Sequence, residues 1–174
     1  TARFGMPAKF EFPSPDSYPR VEIFDPGVES VAIDEMIKLG EELVAVVTNH
    51  TSDIVCEAGV TKAVISVYMI NSRGGQANYR KSIFSLGIEG SLIQGTDMLF
   101  VGESESSCHP LSETRAVAEV VLQQLELAKN RASVVSQPLP IIFTPRGVAS
   151  ALISPLMVAF NGKTVLEGAS PVGN

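Results

Sequence analysis

The sequence predicts an α+β fold: a mostly antiparallel β-sheet with amphipathic helices packed on one face. Three observations predict it. Residues 31–48 and 112–132 repeat their apolar positions every three or four residues, the period of a helix with one buried stripe. Residues 53–70 and 80–93 alternate instead and are enriched in β-branched side chains, which is the strand period. The loop between those two strands, Asn71-Ser72-Arg73-Gly74-Gly75, is a hairpin connection, so the strands are antiparallel. Helices that flank a run of strands then settle on one face of the sheet.

The 174 residues fill one domain with an appended piece. Apolar residues make up 45% and charged residues 18%, a balance that supports an ordered core. The net charge is -6 and there is no basic tract, which excludes nucleic-acid binding through the phosphate backbone as an expected role. No apolar run reaches the ~20 residues of a membrane span. Cys56 and Cys108 are too few for a disulfide scaffold and fit a reducing, cytoplasmic setting.

Taken in order, residues 1–28 form an extended arm. Pro7, Pro13, Pro15, Pro19 and Pro26 forbid a helix there, and Phe10, Phe12, Tyr18 and Phe24 give the arm something to pack with. Residues 29–138 form the α+β region. Its first helix places Ile33, Met36, Ile37, Leu43, Val44 and Val47 on one face and Asp34, Glu35, Lys38, Glu41 and Glu42 on the other, with Gly40 on the apolar side. Gly59 reads as a turn before the first strand. On the return strand Phe84, Leu86, Ile88 and Leu92 share the buried face, and Ser85, Gly87, Glu89 and Ser91 the wet one. Gln94-Gly95-Thr96-Asp97 is a turn, Met98–Val101 a short strand, and residues 102–112 a loop. Ser112 caps the second helix, which buries Ala118, Val121, Leu122, Leu125 and Ala128.

Residues 139–174 hold a short apolar strand, Leu139 to Phe143, and an apolar helix at 147–160. Thr144 serves as N-cap with Pro145 at the first helical position, where a missing N–H costs nothing. Pro155 lies inside the helix and should kink or split it, with Ser154 capping the second piece. Gly162 and Gly168 punctuate the exit.

Few residues offer chemistry. Cys108 and His109 with Glu103 and Glu105 could gather metal donors, but adjacent residues rarely point at one ion, and a solvated loop is the stronger reading. His50 ends a helix, where a cation suits the dipole. Gly162-Lys163-Thr164 lacks the glycine, strand and helix of a phosphate-binding loop. No G-x-S-x-G is present, and an independent hydrolase built on Ser154 or Cys108 is a remote reading. Asp25, Asp34, Glu35, Glu41 and Glu42 read as solvated carboxylates. A non-enzymatic interaction module, homodimeric through a sheet edge or the apolar helix, is the alternative to any enzymatic role.

Four pieces in order resemble a known family. Phe24-Asp25-Pro26 resembles a [YF]-D-P step. Asn71, Ser72 and Gly74 match an Asn-Ser-x-Gly turn. Pro140-Ile141-Ile142-Phe143-Thr144-Pro145 resembles P-V-[IV]-F-x-P, and Gly162, Gly168 and Ser170 match G-x-x-x-x-x-G-x-S. This set is similar to that of the TldD/PmbA proteins, peptide-maturation proteases also called modulators of DNA gyrase. The resemblance covers about Phe24 to Ser170. It implies a metalloprotease in which a TldD-type subunit pairs with a TldE/PmbA-type subunit around a chamber for unfolded peptides, in peptide-toxin maturation and antitoxin degradation. In TldD-type members the helix carries a zinc-binding H-E-x-x-x-H. Lined up from Gly162, Gly168 and Ser170, those positions fall on Ile153, Ser154 and Val158, none of which serves the motif. The resemblance is therefore to the PmbA/TldE branch: no catalytic residue, no cofactor in this chain, zinc only in a TldD-type partner. It also implies that this is the central piece of a longer protein.

Overall fold

The computed structural model describes residues 11, 12, 14–130 and 132–172. The chain divides into two compact units, residues 1–131 and 132–174.

The first unit is a three-stranded antiparallel sheet of order β1-β2-β3, with two long helices on one face, as the alternating and helical periods predict. Residues 1–10 and 13, with Phe10, Pro7 and Pro13 of the predicted arm, lie outside the described residues; 14–25 have no regular structure. The arm stops sooner than the prolines imply. Pro26–Ser30 is a short helix, α1, because Asp25 caps it: Oδ1 accepts the Gly27 N–H at 2.7 Å and Pro26 opens the first turn. Lys62 holds its other end, donating to the carbonyls of Glu29 and Val31 at 2.9 and 2.6 Å.

Helix α2, Ile33–His50, turns Leu39, Leu43 and Val47 inward. The strand-period segment becomes β1, Val55–Ile70, and β2, Gln76–Gln94, paired from Val55 opposite Ser91 to Ile70 opposite Gln76. Gly59 does not turn the chain: it lies within β1 opposite Gly87, since the ladder continues through it. Between the strands, Asn71 Oδ1 accepts the N–H groups of Arg73 and Gly75 at 2.9 Å each, and Gly74 takes φ +80°, which glycine adopts without steric cost.

Strand β3, Asp97–Ser107, is far longer than Met98–Val101. The sequence reads residues 102–112 as a loop, and Gly102–Ser107 is instead strand. Pairing with Phe84–Glu89 overrides the weak local preference of Glu and Ser. The outer edge of β3 is blocked at Gly102. Its N–H donates to Gln124 Oε1 at 3.0 Å, and its carbonyl accepts from Gln124 Nε2 at 3.1 Å, so one carboxamide imitates a paired strand residue. Gln124 belongs to α3, Arg115–Ala128, which buries Val117, Ala118, Val121 and Leu125. Ser112 is not its cap. The N-cap is Thr114, whose hydroxyl donates instead to Glu42 of α2 at 2.7 Å.

The core lies between the helices and β2. Phe84, Leu86 and Ile88 are fully or almost fully buried, with Leu43, Val47, Val117 and Val121 above them. A polar knot closes one end. Ser82 Oγ accepts the Asp25 N–H at 2.8 Å and donates to the Cys108 carbonyl at 2.6 Å, the Ser82 N–H donates to Ile23 O at 3.0 Å, and His109 Nδ1 meets Asp25 Oδ2 at 2.8 Å. The bond to His109, then that from the Gly27 amide, lowers the Asp25 carboxyl below its usual range.

The second unit opens without the predicted strand. Leu139–Phe143 has no pairing partner among the described residues and stays irregular, Ile142 being 95% exposed. Helix α4, Pro145–Val148, leads into a π turn, Ala149–Ile153, and then α5, Ser154–Ala159, and α6, Gly162–Leu166. Thr144 caps α4 as expected, accepting the Gly147 N–H at 3.1 Å.

Phe84→Ala should destabilise the first unit by about 3–5 kcal/mol, read from urea unfolding; a loss under about 1 kcal/mol would remove Phe84 from the centre of the core. A lowered carboxyl supports folding above its ordinary pKa, and that support is lost as pH falls through the lowered value. Asp25→Ala should therefore lower the melting temperature near pH 7 and converge with the parent in strong acid. A melting difference that stays constant across the acid range would contradict the role given to the Asp25 carboxylate.

Candidate functional site

The segment Thr144–Ser170 carries the residues singled out by the sequence. Proline at 155 explains its local form. Pro155 has no N–H to donate to the Ala151 carbonyl four residues back, and its ring would press on that carbonyl in a regular helix. The chain widens into a π turn over Ala149–Ile153, just upstream, and resumes α geometry at Ser154. The helix is thus distorted without being broken. Ser154 is not a cap: with φ −61° and ψ −49° it is helical, and the capping position falls on Ile153, which has no side-chain bond to give.

Ile153 is 49% exposed, Val158 64%, and Ser154 is exposed between them. The exit from the helix is more ordered than its glycines imply. Asn161 Oδ1 accepts from Lys163 and Thr164 and starts α6, so Gly162-Lys163-Thr164 opens a five-residue helix. Gly168 takes φ +68°, and the chain then folds back so that the buried Ser170 hydroxyl donates to the Ala159 carbonyl at 2.6 Å. That bond satisfies one of the carbonyls left open at the end of α5.

The donor chemistry of this unit does not suit zinc. From residue 132 onward the sequence has no His or Cys and a single carboxylate, Glu167. Ile153 and Val158 offer hydrocarbon, and Ser154 a neutral hydroxyl. An alcohol becomes a nucleophile only beside a base that takes its proton, and among the described residues no hydrogen bond joins Ser154 to one.

The other residues of interest lie in the first unit. Glu103 and Glu105 stand in β3 opposite Ile88 and Leu86, while Cys108 and His109 lie past the strand end. Among the described residues no group of three His, Cys, Asp or Glu side chains could hold a metal ion. His109 is instead the partner of Asp25. Their pairing spans 84 residues, so no local signal could have announced it. His50 ends α2 and bridges to α3, with Nε2 2.8 Å from Glu126 Oε1 and Nδ1 2.9 Å from Thr51 Oγ1. Burial raises the Cys56 thiol, which keeps it protonated and unreactive near neutrality. Asp34, Glu35 and Glu41 are exposed on α2.

No protein-family model matches the sequence, and no curated protein matches it. Among solved structures, the chain is similar to the crystal structure of TldE from Thermococcus kodakarensis, with a TM-score of 0.73 and 16% sequence identity. The match covers 99% of this chain and 40% of that one, so this chain spans less than half of that protein's length. At this identity the likeness is one of fold: the α+β sheet and helices described above are the fold of part of TldE.

Proposed function

We propose that the chain is the central region of a PmbA/TldE-type, metal-free subunit that acts with a zinc-bearing TldD-type subunit in the proteolysis of unfolded peptides in the cytoplasm. The observation that carries this reading is the likeness to TldE over nearly the whole chain. The side chains at the positions lined up with the zinc motif agree with it. Two hydrocarbons and an alcohol, Ile153, Val158 and Ser154, offer at those positions no donor for an ion that would polarise a peptide carbonyl and no carboxylate to act as base. Its part in the complex is then to help shape the partner's site or admit the peptide. No described helix is long and apolar enough to cross a membrane.

A non-enzymatic interaction module is the second reading. It is favoured by the exposed apolar side chains Leu152, Met157, Val158 and Phe160 in the second unit, which a binding partner would cover.

Reconstitution with a TldD-type subunit separates them. The expected result is peptide hydrolysis by the mixture and none by this chain, unchanged by Ser154→Ala or Cys108→Ala, with no stoichiometric zinc in this chain by elemental analysis. Tightly held zinc in the isolated chain would sink the metal-free assignment, and failure to associate with any TldD-type subunit would leave the interaction module in its place.

A further inference from the structure

The sequence has a single Asn-Gly step, Asn161-Gly162. It lies between α5 and α6, and both residues are exposed. An asparagine followed by glycine is chemically labile for a steric reason. The backbone nitrogen of the following residue can attack the side-chain carboxamide carbon, and glycine has no Cβ to shield that nitrogen. Here nothing lies within 4 Å of the place that a Cβ on Gly162 would take, so the approach is open.

The fold opposes this attack. Asn161 is the N-cap of α6, and its Oδ1 accepts the N–H groups of Lys163 and Thr164 at 3.0 and 3.4 Å, which holds the carboxamide over the first turn. Ring closure also requires the Gly162 nitrogen to eclipse Cβ about the Cα–C bond of Asn161. There ψ is 124°, which leaves the two far from eclipsed. The Asn161 carbonyl is committed as well, since it accepts the Val165 N–H at 3.0 Å. Rotation of this peptide unit therefore breaks the first turn of α6. A helix of five residues opens readily.

We propose that Asn161 is a spontaneous deamidation site gated by α6, closed while the helix is formed and reactive whenever its first turn opens. The Gly162 nitrogen bonds to Asn161 Cγ, the Cγ–Nδ2 bond breaks, and Nδ2 leaves as ammonia with the proton of the Gly162 N–H. The product is a cyclic succinimide. Water then opens it, with no change in oxidation state. Opening at Cγ restores the ordinary backbone with aspartate at position 161. Opening at the main-chain carbonyl leaves an isoaspartyl link, in which the chain runs through Cβ and Cγ.

The products differ in their effect on the fold. Aspartate caps a helix as well as asparagine does. The isoaspartyl link lengthens the main chain by a carbon atom and turns the former main-chain carbonyl into a side-group carboxylate, so the bond to Val165 and the cap lose their register. α6 in turn holds the exit turn: the Gly168 N–H donates to the Val165 carbonyl and the Ala169 N–H to the Thr164 carbonyl, at 3.0 Å each. That turn sets Ser170 against the Ala159 carbonyl. Conversion to isoaspartate thus loosens the segment from α5 to Ser170, and refolding does not reverse it.

The test is peptide mapping by mass spectrometry of the full chain, held in mildly alkaline buffer either folded or in urea. The peptide that contains Asn161 is expected to gain the mass of an amide-to-acid conversion and to divide into aspartyl and isoaspartyl forms, the latter labelled by a protein isoaspartyl methyltransferase. The folded chain should react about tenfold or more slowly than the chain in urea. Lys163→Gly weakens α6 without touching the reacting atoms, so it should speed the folded chain and leave the rate in urea unchanged. Gly162 does not take a positive φ, so alanine is tolerated there. Gly162→Ala should slow the reaction in urea, where α6 is absent and only the shielding of the nitrogen differs. Asn71, followed by Ser72, is the comparison within the same digest and should convert later. Equal rates for the folded and the unfolded chain overturn the gate. No mass gain at Asn161, or conversion of Asn71 ahead of it in urea, overturns the site.

Discussion

The first unit depends on the burial of one face of β2. Phe84, Leu86 and Ile88 point in succession at the two helices, and every other element of the unit is placed by contact with that row. α2 and α3 close over it, β1 and β3 pair on its two sides, and Ser82, one step further along the same face, gathers Asp25 and the Cys108 carbonyl. A shift of one residue in the pairing of β2 would turn this row to solvent and bring Ser85, Gly87 and Glu89 beneath the helices. The hydrophobic alternation thus fixes register as well as burial. The polar knot at Ser82 adds a second constraint at the point where the apolar row ends.

How much of this was legible follows from the range of each signal. The hairpin was readable because its signals are local: alternation over many residues and an Asn-Ser-x-Gly loop whose Asn71 and Gly74 do what those residue types do in turns. The Thr144 cap before Pro145 was readable for the same reason. Glu103–Ser107 was not, because nothing in those residues favours a strand and only their partner on β2 makes them one. Leu139–Phe143 fails in the opposite sense: its composition favours a strand, but among the described residues no neighbour pairs with it. The Asp25–His109 pair and the Gln124 block on β3 join residues far apart in sequence, beyond the reach of periodicity. Similarly, the helical period of α2 shows which residues are apolar but not that Leu39, Leu43 and Val47 enter the core while Ile33 and Ile37 stay exposed.

In the second unit the side chains are legible as chemistry and the shape of their helix partly as geometry. The absence of donors at Ile153 and Val158 needs no coordinates. Pro155 announced a distortion, and the π turn at Ala149–Ile153 is its form. The bond from Ser170 to the Ala159 carbonyl gives a physical reason for a small hydroxyl residue two positions after Gly168: it fastens the exit of the segment to the helix it leaves.

The carboxamide of Gln124 on Gly102 also sets a direction for the sheet. A layer with both margins free can accept neighbours without limit, the arithmetic of fibres. With the β3 margin stopped at Gly102 by its own helix, lengthening of this layer is directed away from that side, toward β1.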